Sequence, residues 1–540
     1  MEKLLEKNHK IIFAVIAFFL IYPTFQRGYI FLLDWMALPN AGITDINWSF
    51  DSIGIILYKL LSVMLGFGII QRIVLFAIIF FAGTAGFRLA KKTRNIYARY
   101  FSGLFFIFNP FIYARIVEQP NIAGGAVLFL WFLVYFLEYM EEKNKQKLLL
   151  SSVFAAFSVS FSIHSIFFIG LAMAVVLFFD FMKSKDWKFC LKAFSVVFCF
   201  IIILNLNWMI YLVGGAEKGI GSIRNFSHED IITFKTRDIG GISVCAAVLA
   251  MQGYWGENQD RFVSVQDNSL WFPAFLLIFS LSVFGLVKSW KTNSLTKPLA
   301  VLFGVAFVLA VGVASPVFKP LALFLYDEVP FYIGLRESQK WVVVLVFVYA
   351  YLGGWGIKYI MDMKRMKNYR GEIGIFCVIL PVLFSFSAIL GMHNHFTPHE
   401  FPSGWHEAKK YLVENPSDGK ILFLPWHAYM KFDFAEKNII NPARSFFGKE
   451  IIQGNNTEFK EVYSHYFDEQ TLTIEKYVLK KGDGEEKINR QNFLTDMEKI
   501  GVEKIILAKA EDWKNYLWIG EVNGAEKAME NNGIIIYELK

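Results

Sequence analysis

The sequence predicts a polytopic α-helical membrane protein of about eleven spans with a small soluble α/β domain at its carboxyl end. Three observations carry that prediction. Of 540 residues, 55% are hydrophobic and 57 are phenylalanine, with a mean hydropathy of +0.41, more apolar than a soluble domain. Apolar segments of span length recur up to residue 392, and Lys and Arg cluster between alternate segments. From about Thr397 the composition becomes that of an ordinary soluble fold.

Crossing roughly 30 Å of hydrocarbon takes about 20 apolar residues. By that measure the spans are 11–27, 69–90, 99–115, 121–140, 147–164, 165–182, 190–213, 270–288, 297–314, 340–358 and 372–392. The first is read as a retained span, since no small-residue cleavage site follows it. The fifth and sixth form one apolar run, read as a hairpin that turns at His164-Ser165. The hairpin puts every basic cluster on one side: Lys3/Lys7/Lys10, Lys91/Lys92/Arg94, Lys143/Lys145/Lys147, Lys183/Lys185/Lys188, Lys288/Lys291/Lys297 and Lys364/Arg365/Lys367/Arg370. Basic loops stay inside. The expectation is therefore a multi-pass protein of the cytoplasmic membrane, with its amino terminus inside and its carboxyl domain outside.

The outer side then receives residues 28–68, the 116–120 turn, 214–269, 315–339 and everything from 393 onward. Ile53–Gly66 and Pro316–Tyr326 are apolar but too short to cross, the pattern of interfacial helices. Ile239–Ala250 either dips in the same way or inserts as a hairpin. The chain thus divides into a membrane domain, 1–392, and an extracytoplasmic α/β domain, 393–540. In the latter, periodicity predicts helices over Gly404–Val413 and Gln491–Ile500, and strands over Lys420–Leu424, Glu503–Leu507 and Gly533–Glu538.

Several chemistries are set aside. The cysteines Cys190, Cys199, Cys245 and Cys377 lie in or beside apolar segments without metal-ligand spacing, so neither disulfides nor zinc are expected. No Walker loop, dinucleotide fingerprint, HExxH or nucleophile elbow is present. The net charge of +7 reflects topology, and no nucleic-acid partner is expected. His393, His395 and His399 have a spacing that could hold metal, but their place at the junction before the soluble domain reads as a polar linker.

The stretch Tyr29–Asp51 after the first span holds Asp34, flanked by Phe31, Leu32, Leu33, Trp35 and Met36; a solvated loop carboxylate is the competing reading. A carboxylate at the membrane edge is costly unless used, and an apolar setting raises its pKa toward that of a working base. Asp45 and Asp51 are weaker candidates, and either Asp51 or Ser49 is suited to cap the interfacial helix. In Leu335-Arg336-Glu337-Ser338-Gln339-Lys340-Trp341, cations at i and i+4 would share one helical face and suit a phosphate; a Lys/Arg/Trp interface anchor is the competing reading. Arg115-Ile-Val-Glu118-Gln119-Pro120-Asn121 is a tight polar turn that could face the same cavity as Asp34 or be only a capped helix start. His164 could bond a substrate phosphate or be a satisfied structural histidine. Trp255, in Gln252-Gly253-Tyr254-Trp255-Gly256-Glu257, offers a flat face for a sugar ring or a belt aromatic.

With these residues placed, the chain resembles the GT-C superfamily of integral-membrane glycosyltransferases, and within it the arabinofuranosyltransferase D type and the YfhO-like proteins. The likeness covers most of 1–392 in layout. In residue identity it rests on Phe108-Asn109-Pro110-Phe111 leading into Arg115-Ile-Val-Glu118, on Gln252-Gly-Tyr-Trp255, and on Gly334-Leu-Arg336-Glu-Ser-Gln-Lys340-Trp. The resemblance implies transfer of a sugar from a polyprenyl-phosphate donor to an extracytoplasmic glycan, glycolipid or glycoprotein within the lipid bilayer. It places Asp34 at the position of the catalytic base, with Arg336, Lys340, Glu118, His164, Trp255 and Asp45 as substrate-binding candidates. The first loop has one acid in an apolar setting where such enzymes can carry an adjacent pair or DxD, so no cofactor is assigned and a divalent cation is left open. A reading from another class is a transporter, flippase or scaffold for lipid-linked saccharides, which should show related halves or interrupted helices carrying charge.

Overall fold

The computed structural model describes residues 2–35, 46–48, 51–213, 227–259, 261–448, 450–459, 462–464, 469–479 and 492–540. The first part is a helical bundle of α1 (Glu2–Ile21), α2 (Ile53–Leu65), α3 (Phe67–Leu89), α4 (Ile96–Ile107), α5 (Pro110–Glu118), α6 (Pro120–Glu142), α7 (Lys145–Phe161), α8 (Ser165–Ser184) and α9 (Trp187–Val213), followed by the longer helices Trp271–Ser289, Thr296–Val311, Val342–Asp362 and Arg370–Phe384. Among the described residues, 8 helical stretches are long and apolar enough to cross a membrane. Three of the eleven expected spans fall outside this set. Helix α1 begins with Glu2, Lys3, Glu6 and Lys7; α7 has only 17 residues; and the last expected span stops at Phe384, with Pro381 inside it and a 3₁₀ turn after Ser385.

Ile96–Glu118 and Ser338–Asp362 are the buried centre of the bundle, whereas Trp187–Ile210 lies at its rim and leaves Leu191, Phe194, Ile202 and Ile203 exposed. Small residues let the central helices approach closely. A Cβ on Gly285 would strike the Leu352 carbonyl, and one on Gly356 would strike that of Leu281. Ile53–Leu65 and Lys319–Glu328 are short helices, as their apolar but sub-span length predicts. Ser52 caps the first of them by accepting from Ile55 N, whereas Asp51 pairs with Lys59 at 2.6 Å and Ser49 lies outside the described residues. The 239–250 segment forms a helix only over Val244–Leu249.

The carboxyl part holds a five-stranded sheet in the order β4 (Ile451–Ile452), β1 (Lys420–Leu424), β7 (Val502–Ala508), β9 (Ile534–Leu539), β8 (Ala525–Glu530). β1 runs parallel to both β4 and β7, and β9 is antiparallel to β7 and β8. Alternation divides the strands between two cores. Phe423, Ile506 and Ile536 face a cluster with Trp405 and Phe446, and Leu422, Ile505 and Ile535 face one with Trp426 and Tyr516. Among the described residues, two hairpins lie outside the sheet: β5 (Thr457–Phe459) with β6 (Val462–Ser464), and β2 (Tyr429–Phe432) with β3 (Lys437–Ile440), which reaches the first loop. Two main-chain links join the first loop to the carboxyl part, the second of them at the β2–β3 hairpin. Tyr29 and His399 exchange hydrogen bonds of 2.8 and 2.9 Å, and Ile440 N donates to Leu33 O at 3.0 Å. Phe31, from the first loop, is buried in the core that contains Trp405.

Candidate active site

The site begins at a break in the chain. Asn109-Pro110 ends α4 and starts α5: the Asn109 side chain accepts from Ile112 N at 2.9 Å, and Pro110 occupies a first-turn position where no N–H is needed. Gln119, at φ −134°, then leaves the helical path before Pro120 opens α6. The redirected turn carries Arg115, Glu118 and Gln119 into the interior at the level of the first loop, whose Asp34 N donates to Glu118 O at 2.9 Å.

Asp34 is half-buried between two neutral donors. Gln119 Nε2 donates to one carboxylate oxygen at 2.7 Å, and the Tyr429 hydroxyl to the other at 2.8 Å. Burial raises the Asp34 carboxyl above the ordinary aspartate range, although both hydrogen bonds pull the other way. Tyr429 is raised in turn, chiefly by the charge of Asp34, so it stays a donor.

Behind Gln119 lies an ionic core. The Arg115 side chain is wholly buried; it donates to Gln119, to Glu337 Oε2 at 2.7 Å and to Gln339 Oε1 at 2.7 Å, and lies 4.1 Å from the centre of the Tyr254 ring. Lys340 is 3.3 Å from Glu337 and 3.2 Å from His164 Nε2. Burial alone would raise Glu337, but Lys340, Arg115 and Arg336 outweigh it and hold the carboxyl well below the usual range. His164, in the turn between α7 and α8, is lowered to about 3 by burial and then by Lys340. Its neutral Nε2 therefore either accepts from Lys340 or donates to Gly334 O at 3.0 Å.

Arg336 and Lys340 do not share a helical face. Tyr332–Leu335 and Ser338–Trp341 are separate 3₁₀ turns, broken at Glu337 with ψ 78°. Arg336 consequently points to Asp230 at 3.3 Å and lies over Phe234, while Lys340 turns into the ionic core. Glu118 turns its carboxylate toward Arg261 at 2.7 Å, and that guanidinium lies 4.6 Å from the centre of the Trp255 ring. Trp255 is buried there against Phe234 and Tyr254, so it has no open face of the kind a sugar platform needs. Asp45 lies outside the described residues.

The structure thus gathers Asp34, Glu118, His164, Trp255, Arg336 and Lys340 around one turn. Tyr429, Asp230 and Arg261 join them without having been singled out, and Glu337 joins from the quoted 335–341 motif. Gln119 lay within a motif already noted, but nothing in the sequence around Tyr429 signals a partner 395 positions away. Among the described residues no group of His, Cys, Asp or Glu converges as a metal-binding set. His395 offers its main-chain carbonyl to Lys437 at 2.9 Å, and His399 is engaged with Tyr29.

No family model matches the chain, and no curated protein matches it. Solved structures do. Arabinofuranosyltransferase AftD from mycobacteria matches with a TM-score of 0.62 at 11% identity over 99% of this chain, and its R1389S mutant with 0.64 at 9% identity over 98%. The chain has the GT-C fold. It spans 40% of the length of AftD. ArnT from Cupriavidus metallidurans, in a structure bound to undecaprenyl phosphate, matches with a TM-score of 0.53 at 8% identity over 98% of this chain and 97% of its own. The Asp34 turn therefore sits in a GT-C scaffold matched over nearly its whole length.

Proposed function

We propose that this chain is a GT-C glycosyltransferase that moves a sugar from a polyprenyl-phosphate carrier to a hydroxyl of a glycan, glycolipid or glycoprotein on the non-cytoplasmic side of the cytoplasmic membrane. The observation that carries the reading is Asp34. Among the described residues, this half-buried carboxylate is held by neutral donors, Gln119 and Tyr429, with an ionic core fixing one of them. Neutral partners orient a carboxylate without neutralising it. The likeness to ArnT bound to undecaprenyl phosphate supports a lipid phosphate as donor.

In this mechanism Asp34 accepts the acceptor's hydroxyl proton as the oxygen bonds to the anomeric carbon. The bond from that carbon to the carrier phosphate breaks, its electron pair stays on the phosphate, and the configuration inverts. Arg336 supplies positive charge where the phosphate departs, from a site already partly dry. Lys340 is enclosed beside Glu337 and acts one layer back, holding the wall that positions Gln119. No step is assigned to a metal ion.

The test is transfer of labelled sugar from a polyprenyl-phosphate donor by purified protein. Wild type transfers and Asp34→Asn does not; full activity in Asp34→Asn eliminates the base. Donor affinity should fall in Arg336→Ala and change less in Lys340→Ala, and an Arg336→Ala protein with wild-type donor affinity removes the phosphate role.

A further inference from the structure

A cavity of about 570 Å³ opens in the carboxyl part beside the sheet edge formed by β4. Its wall includes Trp426, Tyr429, Arg444, Glu450, Gln453 and Asn455. That volume falls in the range of ligand sites, roughly 300–1,000 Å³. Tyr429 belongs to two places at once: it lines the cavity, and its hydroxyl donates to Asp34 at 2.8 Å. Tyr429 is thereby the side chain shared between the cavity lining and the carboxylate proposed to deprotonate a hydroxyl, lining the first and bonding the second.

The wall is built, and its groups are unevenly engaged. Gln453 is locked as a brace, accepting from Arg444 N at 2.8 Å and donating to Asn441 O at 2.9 Å. Gly454 lies so close to the main chain of Trp426 and His427 that any Cβ would meet His427 N at 2.8 Å, which sets the loop tightly on the rim. The exposed side-chain heads of Arg444, Glu450 and Asn455 make no hydrogen bond or ion pair with the described residues. Cation, carboxylate and amide together offer both donors and acceptors around an aromatic ring, the mixture that hydroxyl-rich rings require. An acyl chain would find apolar walls elsewhere, on the exposed rim of the bundle, and has no use for such a lining.

We infer that this cavity is the acceptor site, and that it binds a saccharide chain so that the hydroxyl at its end passes Tyr429 and reaches Asp34. The inference rests on the transferase reading for the role of Asp34, but the binding it asserts does not need the reaction. Tyr429 is then a positioning residue at the junction, and Arg444 and Asn455 hold the incoming chain.

The experiment applies detergent-solubilised full-length protein, without donor lipid, to an array of neutral and anionic oligosaccharides, with a matched peptide array beside it. Wild type and Asp34→Asn bind the same oligosaccharides. Arg444→Ala and the cavity-filling Asn455→Trp, both at exposed positions and both melting like wild type, lose binding about ten-fold or more, the scale of one charge-assisted hydrogen bond. Silence on the oligosaccharide array, preference for peptides, or binding indifferent to both cavity variants overturns the assignment. Oligosaccharide binding that both variants weaken, in a wild type that transfers no sugar from any polyprenyl-phosphate donor, upholds the site and removes the transferase reading. Transfer that is unchanged in both variants does the reverse.

Discussion

Asp34 and Glu337 are acids of one network, joined through Gln119 and Arg115, yet their surroundings treat them oppositely. Asp34 receives two neutral donors and is pushed up by burial; Glu337 is buried more completely but is surrounded by Arg115, Lys340 and Arg336, which hold it down. Burial depth therefore does not decide which carboxylate is poised to take a proton. The charge of the partners does. A carboxylate fixed among cations is spent on holding the fold, whereas one held by an amide and a phenol keeps its basicity for a substrate.

The difference can be broken from either end. The largest effect is expected at Asp34: Asp34→Asn should lower sugar transfer by about 100- to 10,000-fold while the melting midpoint in detergent stays near that of wild type. A matching loss of folded protein would place Asp34 with Glu337 as a structural acid. The opposite pattern is expected at the ionic core. Arg115→Met takes from buried Glu337 an ion-pair partner nearer than Lys340 and from Gln119 and Gln339 their donor, and should cost about 3–5 kcal/mol of stability, read as a fall in melting midpoint; a variant that melts like wild type would show the core to be dispensable.

Subtler changes sharpen the contrast. The rate should fall as pH drops through the raised ionisation of Asp34, because only the ionised form accepts a proton. Tyr429→Phe removes a donor that favours that form, so the acid limb of the pH–rate profile should move upward by about one pH unit; an unmoved limb would detach Tyr429 from the base. Glu337 behaves in the other sense. Its contribution to stability is present above the unfolded carboxylate range and disappears only in stronger acid, as pH falls through its lowered value. The smallest effect belongs to His427, raised to about 10 because Asp512 and Glu458 outweigh its burial. Its contribution is fully present below about 6.5 and fades as pH rises to about 10, so the melting midpoint should decline across that window in wild type and decline less in His427→Gln.

Much of this was legible in the order of residues. The hairpin turn at His164-Ser165, the short helix from Ile53 and the strands β1, β7 and β9 follow from apolar period and length, which are local properties. Asp34 drew notice for the same reason, as an acid inside an apolar run. What the sequence hides is angular and long-range. The spacing of Arg336 and Lys340 suggested one helical face, but the chain there makes two 3₁₀ turns with a break at Glu337, which sends the cations apart. Trp255 looks available in a glycine-flanked loop, and only packing reveals that Phe234 and Arg261 cover it. Tyr429 reaches Asp34 because a hairpin is anchored to Leu33, a pairing that no period in the sequence encodes.

The two main-chain links at Tyr29–His399 and Leu33–Ile440 bear on how such molecules can be recombined. They hold the 28–35 loop like a hem stitched along two edges, and Gly28, at φ +114° against His399, leaves no room for a side chain at one of the stitches. A carboxyl unit exchanged with that of another protein of the same fold would meet a foreign seam there. Exchange should succeed when the loop travels with both of its partners, which makes residues 28–35, the bridge position at His399 and the hairpin 429–440 one heritable module despite the distances between them in the chain.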